Sequence, residues 1–193
     1  MTNLIDLRET RAAADDLPGL QGCLAQLVGE PFRHARVSYG DELTLHFGDL
    51  RPAKSPKLAG KAYGAYVFGA RASRWVLKSG SAPLVQIADR DGDAGQPTRK
   101  EDLEANPLIA PDARVTSARA FAVGLADALG VELRFTDGSS LRVLPELPEA
   151  ERPADADLPV LADWELASPA GLLSAGPGRR WSFQPTGRID DSA

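Results

Sequence analysis

Cysteine is nearly missing from this 193-residue chain: Cys23 stands alone, so no intrachain disulfide can form. That scarcity goes with a reducing compartment, and a cytoplasmic location is expected. Histidine is almost as scarce, with only His34 and His46. A structural zinc site takes about four nitrogen or sulfur ligands in paired spacing. Here the three such groups are spread along the chain, so no metal or other cofactor is expected. Long apolar runs are missing too: nothing approaches the roughly 20 residues a membrane span needs. The first residues carry Asp6, Arg8 and Glu9 where a signal peptide would be basic and then apolar. Neither a membrane nor an export route is expected. A net charge of −5 and a pI of about 5.1 speak against nucleic acid as a partner.

What is present suits one folded domain. The chain is 43% hydrophobic and 25% charged, and its length suffices to bury a sizeable core without staples. Self-similarity organises it. HARVSYG at 34–40 resembles SARAFAVG at 117–124, ELTLHFG at 42–48 resembles ELRFTDG at 132–138, and Arg74-Trp75-Val76-Leu77 resembles Asp163-Trp164-Glu165-Leu166. The three matches keep their order. Their offsets are 83 residues for Arg36 and Arg119, 90 for Glu42 and Glu132, and 89 for Trp75 and Trp164. An insertion around 125–130 accounts for the jump.

The matched pieces read as strands. Leu43, Leu45 and Phe47 alternate with Thr44 and His46, and Val131, Leu133 and Phe135 alternate with Glu132, Arg134 and Thr136. Asp137-Gly138 supplies turn chemistry for a hairpin returning through Leu141 and Val143. Residues 66–77 fit two strands with a bend or bulge near Gly69, and Val160, Ala162, Trp164 and Leu166 alternate again. Ala118, Phe121, Ala122, Leu125 and Leu129 also sit at helical spacing. The likeness to HARVSYG decides for strand over 114–123, with a helical turn allowed in the insertion. Near the N-terminus, Leu20, Leu24, Leu27 and Val28 form an apolar stripe, with Asp16 to cap, Pro18 in the first turn and Gly29 to terminate.

The predicted fold class is therefore α+β, predominantly antiparallel β. Two diverged strand-hairpin repeats share one core, and the N-terminal helix packs on the sheet. Residues 1–185 form a single domain: repeat one about 30–89, a Gly- and Pro-rich linker about 90–113 with at most a short helix near 100–105, and repeat two about 114–185. Residues 186–193 are expected to be a frayed tail.

Chemistry is thinner. Asp89, Asp91 and Asp93 alternate as a calcium loop begins, but Ala94 stands where that loop needs glycine and Lys100 where it needs glutamate. A solvated acidic turn explains them better. His46 falls on the polar side of its strand and matches Thr136, so a surface or edge-strand histidine is expected, not a base. Ser79-Gly80-Ser81 and Gly176-Pro177-Gly178 lack a phosphate-loop ending, and Pro177 removes an amide such a loop would use. The second reads as a tight turn into a final strand, and Trp75, Trp164 and Trp181 read as core. No catalytic residue is assigned.

One contrast points to binding. Between the second and third matched pieces the first copy carries Arg51, Lys54, Lys57 and Lys61, while the second carries Glu146, Glu149, Glu151, Asp155 and Asp157. Prolines keep both loops out of the sheet. Arg51, Lys54, Lys57 and Lys61, with Arg179 and Arg180 at the late turn, are the candidate contacts for a protein partner or a second subunit. The expected function is a non-catalytic binding or assembly module of bacterial, accessory or immunity-like type. The alternatives are a small enzyme using Glu42, Asp49 and Arg36 in a cleft between the repeats, or a small-molecule sensor with Trp75, Trp164 or Tyr66 lining a pocket.

Overall fold

The computed structural model of the chain describes residues 10–12, 17–37, 42–53, 60–71, 73–78, 85–87, 109–123, 128–145 and 162–186. The acidic loop at 146–157, the aspartates at 89–93, Ser79-Gly80-Ser81, Lys54, Lys57, most of the linker and residues 187–193 lie outside the described residues.

Antiparallel strands dominate. Among the described residues they are β1 (Thr10–Ala12), β2 (Phe32–Val37), β3 (Leu43–Pro52), β4 (Ala62–Ala70), β5 (Ser73–Lys78), β6 (Val85–Ile87), β7 (Val115–Val123), β8 (Ala128–Phe135), β9 (Ser140–Pro145), β10 (Trp164–Ser168), β11 (Gly171–Ala175) and β12 (Trp181–Pro185), with one helix, α1 (Leu17–Ala25). A seven-stranded sheet runs β1-β12-β11-β10-β4-β3-β2, and a five-stranded sheet runs β6-β5-β9-β8-β7.

Period-2 alternation decides which side chains meet between the sheets. Leu43, Leu45, Phe47, Phe68, Trp164, Leu166 and Leu173 of the larger sheet belong to one core with Trp75, Leu77, Val131, Leu133, Leu141 and Val143 of the smaller. Burying a side chain of this size contributes about 1.5–3 kcal/mol. The indole Nε1–H of Trp164 crosses the interior to donate to the Leu129 carbonyl at 2.8 Å. All three tryptophans are buried, Trp181 least deeply. Phe47 and Phe135, one from each sheet, stack at 6.2 Å with planes 8° apart, and Phe32 meets both edge-on.

The helix forms close to where the apolar stripe predicts it. Leu20, Cys23, Leu24 and Leu27 are buried, but Val28 is 46% exposed, because α1 ends at Ala25 and the following turn swings Val28 outward. Leu27 and Val28 amides bond back to Leu24 and Ala25, and Gly29 takes φ 91°. The helix lies along β7, where Gln21 donates to the Ala118 carbonyl and accepts from the Ala120 amide at 3.2 Å. Residues 115–123 and 128–130 are strand despite their helical spacing.

The two sheets join at one seam. Pro31 bridges Arg114, and the bonds around them come in pairs. Phe32 N donates to Ala113 O at 2.7 Å as Val115 N does to Glu30 O at 3.1 Å; Gly29 N donates to Val115 O as Asp112 N does to Phe32 O; Gly48 N donates to Pro31 O as Thr136 N does to Arg114 O. Gly29 and Asp112 both have positive φ, 91° and 64°, a conformation aspartate tolerates better than most residues. A register shift falls between Phe32 and His34 in β2 and between Val115 and Ser117 in β7.

Pairing beyond the hairpins crosses over. Strand β4, in the first half of the chain, takes β10 as its outer neighbour, with Trp164 opposite Ala70 and Leu166 opposite Phe68. Strand β9, in the second half, takes β5, with Trp75 opposite Val143 and Leu77 opposite Leu141. Residues 66–77 therefore hold two strands, as their composition suggests, but the two belong to different sheets.

Candidate functional site

Outward-facing side chains of the larger sheet make two shallow depressions. The larger, about 420 Å³, is lined by His34 and Arg36 of β2, His46 and Leu50 of β3, Lys61, and Ala62 and Tyr63 of β4. The smaller, about 240 Å³, lies further along the same face between Glu42, Thr44, Gly69, Arg71 and Glu165. Thr44 and His46 are successive outward residues of β3, so the depressions follow one strand.

The larger depression is built around a buried imidazole. His46 sits opposite His34 in the β2–β3 register and opposite Val67 in β4. The two rings stack at 4.2 Å, and Tyr63 tilts against His46 at 5.5 Å. This covering leaves His46 only 3% exposed, in contrast to the solvated position its strand parity implies. The two flanking rings, His34 and Tyr63, exclude water on the sheet exterior as effectively as the core would. Gly64 N–H donates to His46 Nδ1 at 3.2 Å, which fixes the proton of the neutral ring on Nε2. Burial, with His34 and Arg36 adding positive charge beside it, lowers the His46 pKa from 6.5 to about 4. Burial lowers His34 as well. At neutral pH both imidazoles are neutral, and the charge lining this depression comes from Arg36 and Lys61. Among the described residues no carboxylate lines it.

A close approach of backbone shapes the end of this depression. A Cβ on Gly64 would lie 2.4 Å from the Phe47 carbonyl oxygen, so only glycine fits where β3 and β4 shift register.

The smaller depression exists because Gly69 has no side chain, with Glu165 opposite it in the register. Glu165 is held by Arg71 at 3.6 Å and by the Ser174 hydroxyl at 3.2 Å.

A comparable row on the smaller sheet is filled. There Glu132 stands between Arg119 and Arg142 in the register and pairs with Arg134 at 3.2 Å. Arg142 in turn lies over the Phe121 ring at 4.7 Å. On the larger sheet the corresponding row reads Arg36, Thr44, Gly69, and among the described residues no carboxylate pairs with Arg36. Thr44 holds the place in this row that Glu132 holds in the other, whereas the sequence likeness sets Glu42 against Glu132.

Of the basic residues singled out in the sequence, Lys61 lines the larger depression and is exposed. Arg51 is exposed on β3 opposite Tyr63. Arg179 and Arg180 occupy the turn between β11 and β12, three strands from β4 and beside its far end, so they do not join this group. That turn is closed by Gly176 N to Arg180 O at 2.8 Å, as its composition predicts. Glu42 and Arg36 fall in different depressions, and Asp49 is exposed. Trp75 and Trp164, at 1% and 0% exposure, lie in the core and line neither. Among the described residues no cluster of His, Cys, Asp and Glu could hold a metal ion, and no helix is long and apolar enough to cross a membrane. Sequence reasoning set His34 and His46 aside as surface or edge-strand histidines and did not single out Tyr63. Their common signal was three rings in outward register, visible only once the strands are paired. No protein-family model, curated protein or solved structure matches the chain.

Proposed function

We propose that the chain is a non-catalytic binding module that works through protein–protein contacts, with the outer face of the seven-stranded sheet meeting an acidic segment of its partner. The observation that carries this reading is the unbalanced row: Arg36 faces Thr44 where the smaller sheet pairs its arginines with Glu132. An arginine beside Lys61 in a concave, carboxylate-free surface is a place for a carboxylate from another molecule. On the smaller sheet Glu132 already stands between Arg119 and Arg142 in the register and pairs with Arg134.

The same reading holds that the chain is two diverged copies of one strand-hairpin unit. Support comes from the paired bonds at the seam: residues 29–32 stand 83 positions from 112–115, as Phe32 and Val115 do, while the donors Gly48 and Thr136 stand 88 apart. Divergence has then removed the charge from one row and kept it in the other.

The test is affinity capture from the native host with the wild type and with R36E/K61E in parallel. An acidic partner is expected on the wild type alone, released as salt rises and exposed charges are screened. An identical set of captured proteins for both sheets of results, wild type and variant, would overturn the assignment of this surface.

A further inference from the structure

We propose that the depression between β2, β3 and β4 is a carboxylate site whose affinity strengthens as the pH falls below neutrality, with His34 as the residue that gains charge. The inference rests on the binding reading above and adds to it a ligand group and a control.

The geometry separates the roles of the two histidines. His46 is locked: its Nδ1 accepts from Gly64, its ring is covered on both sides, and its Nε2–H is left as a donor for the depression that it lines. Its pKa of about 4 keeps it neutral through the whole physiological range. His34 is the accessible member of the stack, on the edge strand and only partly buried. It therefore protonates first, and once it does, the two rings 4.2 Å apart cannot both carry charge.

Among the described residues, the charged and titratable groups around His34 are Arg36 on β2, His46 on β3, Lys61 just before β4 and Tyr63 on β4. None of them is a carboxylate. An empty site thus opposes protonation of His34, and burial opposes it further. A bound carboxylate reverses this. An opposite charge within about 4–6 Å raises a histidine pKa by roughly one unit or more, and each unit is about tenfold in affinity once the pH lies below both values. By linkage, lowering the pH tightens binding of the anion, while an ordinary glutamate, with a pKa of about 4.3, stays ionised at pH 5.5.

The experiment uses the full chain and hexaglutamate, followed through the imidazole proton resonances and by calorimetry at pH 7.5 and 5.5. The expected result is binding about three- to tenfold tighter at the lower pH, with shifts at both histidines. In His34→Gln the ratio falls below about twofold, and in R36Q/K61Q binding is lost at both values. Amide spectra of each variant establish that it is folded. Equal affinity of the wild type at the two pH values, with R36Q/K61Q still defective, would sink the pH control and leave the surface reading standing. Absence of binding at either pH sinks both. Glutarate binding as tightly as hexaglutamate overturns the polypeptide as the ligand, because it carries the same group without the chain.

Discussion

At the scale of single residues, His46 shapes both stability and the surface. Its ring is 3% exposed and neutral in the folded protein, whereas in the unfolded chain it titrates near 6.5. The unfolded state therefore binds the extra proton between pH 6.5 and 4, so stability is full above that window and falls as the pH drops through it. From pH 7 to 5 the loss amounts to about 2 kcal/mol. Urea titrations should show that slope in the wild type and a flatter one in His46→Gln; parallel profiles would mean that the ring is not held neutral by the fold. The burial of His46 was not legible from alternation, which reports the side of the sheet a residue faces but not what else stands there. Lys61 was legible because a run of like charge in a proline-bounded loop needs no tertiary information. Arg36 became informative only when register showed Thr44 opposite it.

At the scale of elements, the edge of β7 is covered in its middle by one side chain, next to the main-chain bonds of Gly29 and Glu30 to Val115. Gln21 of α1 uses both ends of its amide on the Ala118 carbonyl and the Ala120 amide, groups that an edge strand otherwise leaves to water or to another chain. Gln21→Ala removes both bonds and should cost about 1–2 kcal/mol. Amide exchange would read the effect directly: the Ala120 proton should exchange faster in the variant while those of β8 stay protected. Unchanged protection at Ala120 would show that packing of Leu20 and Leu24, not Gln21, seals the edge. Strand identity in β3, β8, β9 and β10 was readable from alternation and from Asp137-Gly138. In β7 alternation and helical spacing overlapped, and the contest was decided by pairing with β8, a long-range contact that overrides alanine's local preference for helix. Val28 went the other way: its spacing fits the stripe, but the chain leaves the helix before reaching it.

At the scale of the whole molecule, the decisive feature is which neighbours the third matched pieces choose. Trp75 and Trp164 have the same local pattern whether each strand joins its own hairpin or the other one, so periodicity could place both in the core but could not say whose sheet they complete. The observed choice ties the halves together: β5 lies on β9 and β10 on β4. Cutting the chain in the linker, between residues 98 and 99, should yield two fragments that are poorly structured alone and recover the native β signature when mixed in equal amounts. Circular dichroism and sedimentation would follow this. Either fragment folding by itself as a stable monomer would show that it can complete its own sheet without help from its complement.

That crossover also sets a timetable for synthesis. Ala70 on β4 waits for Trp164, which lies 94 residues later in the chain (164 − 70). At about 5–20 residues per second, the ribosome leaves the outer side of β4 without its partner for roughly 5–20 seconds. During that interval the nascent first half carries an unmatched sheet margin beside Phe68, so the growing polypeptide has its greatest need of chaperones before its second half has emerged.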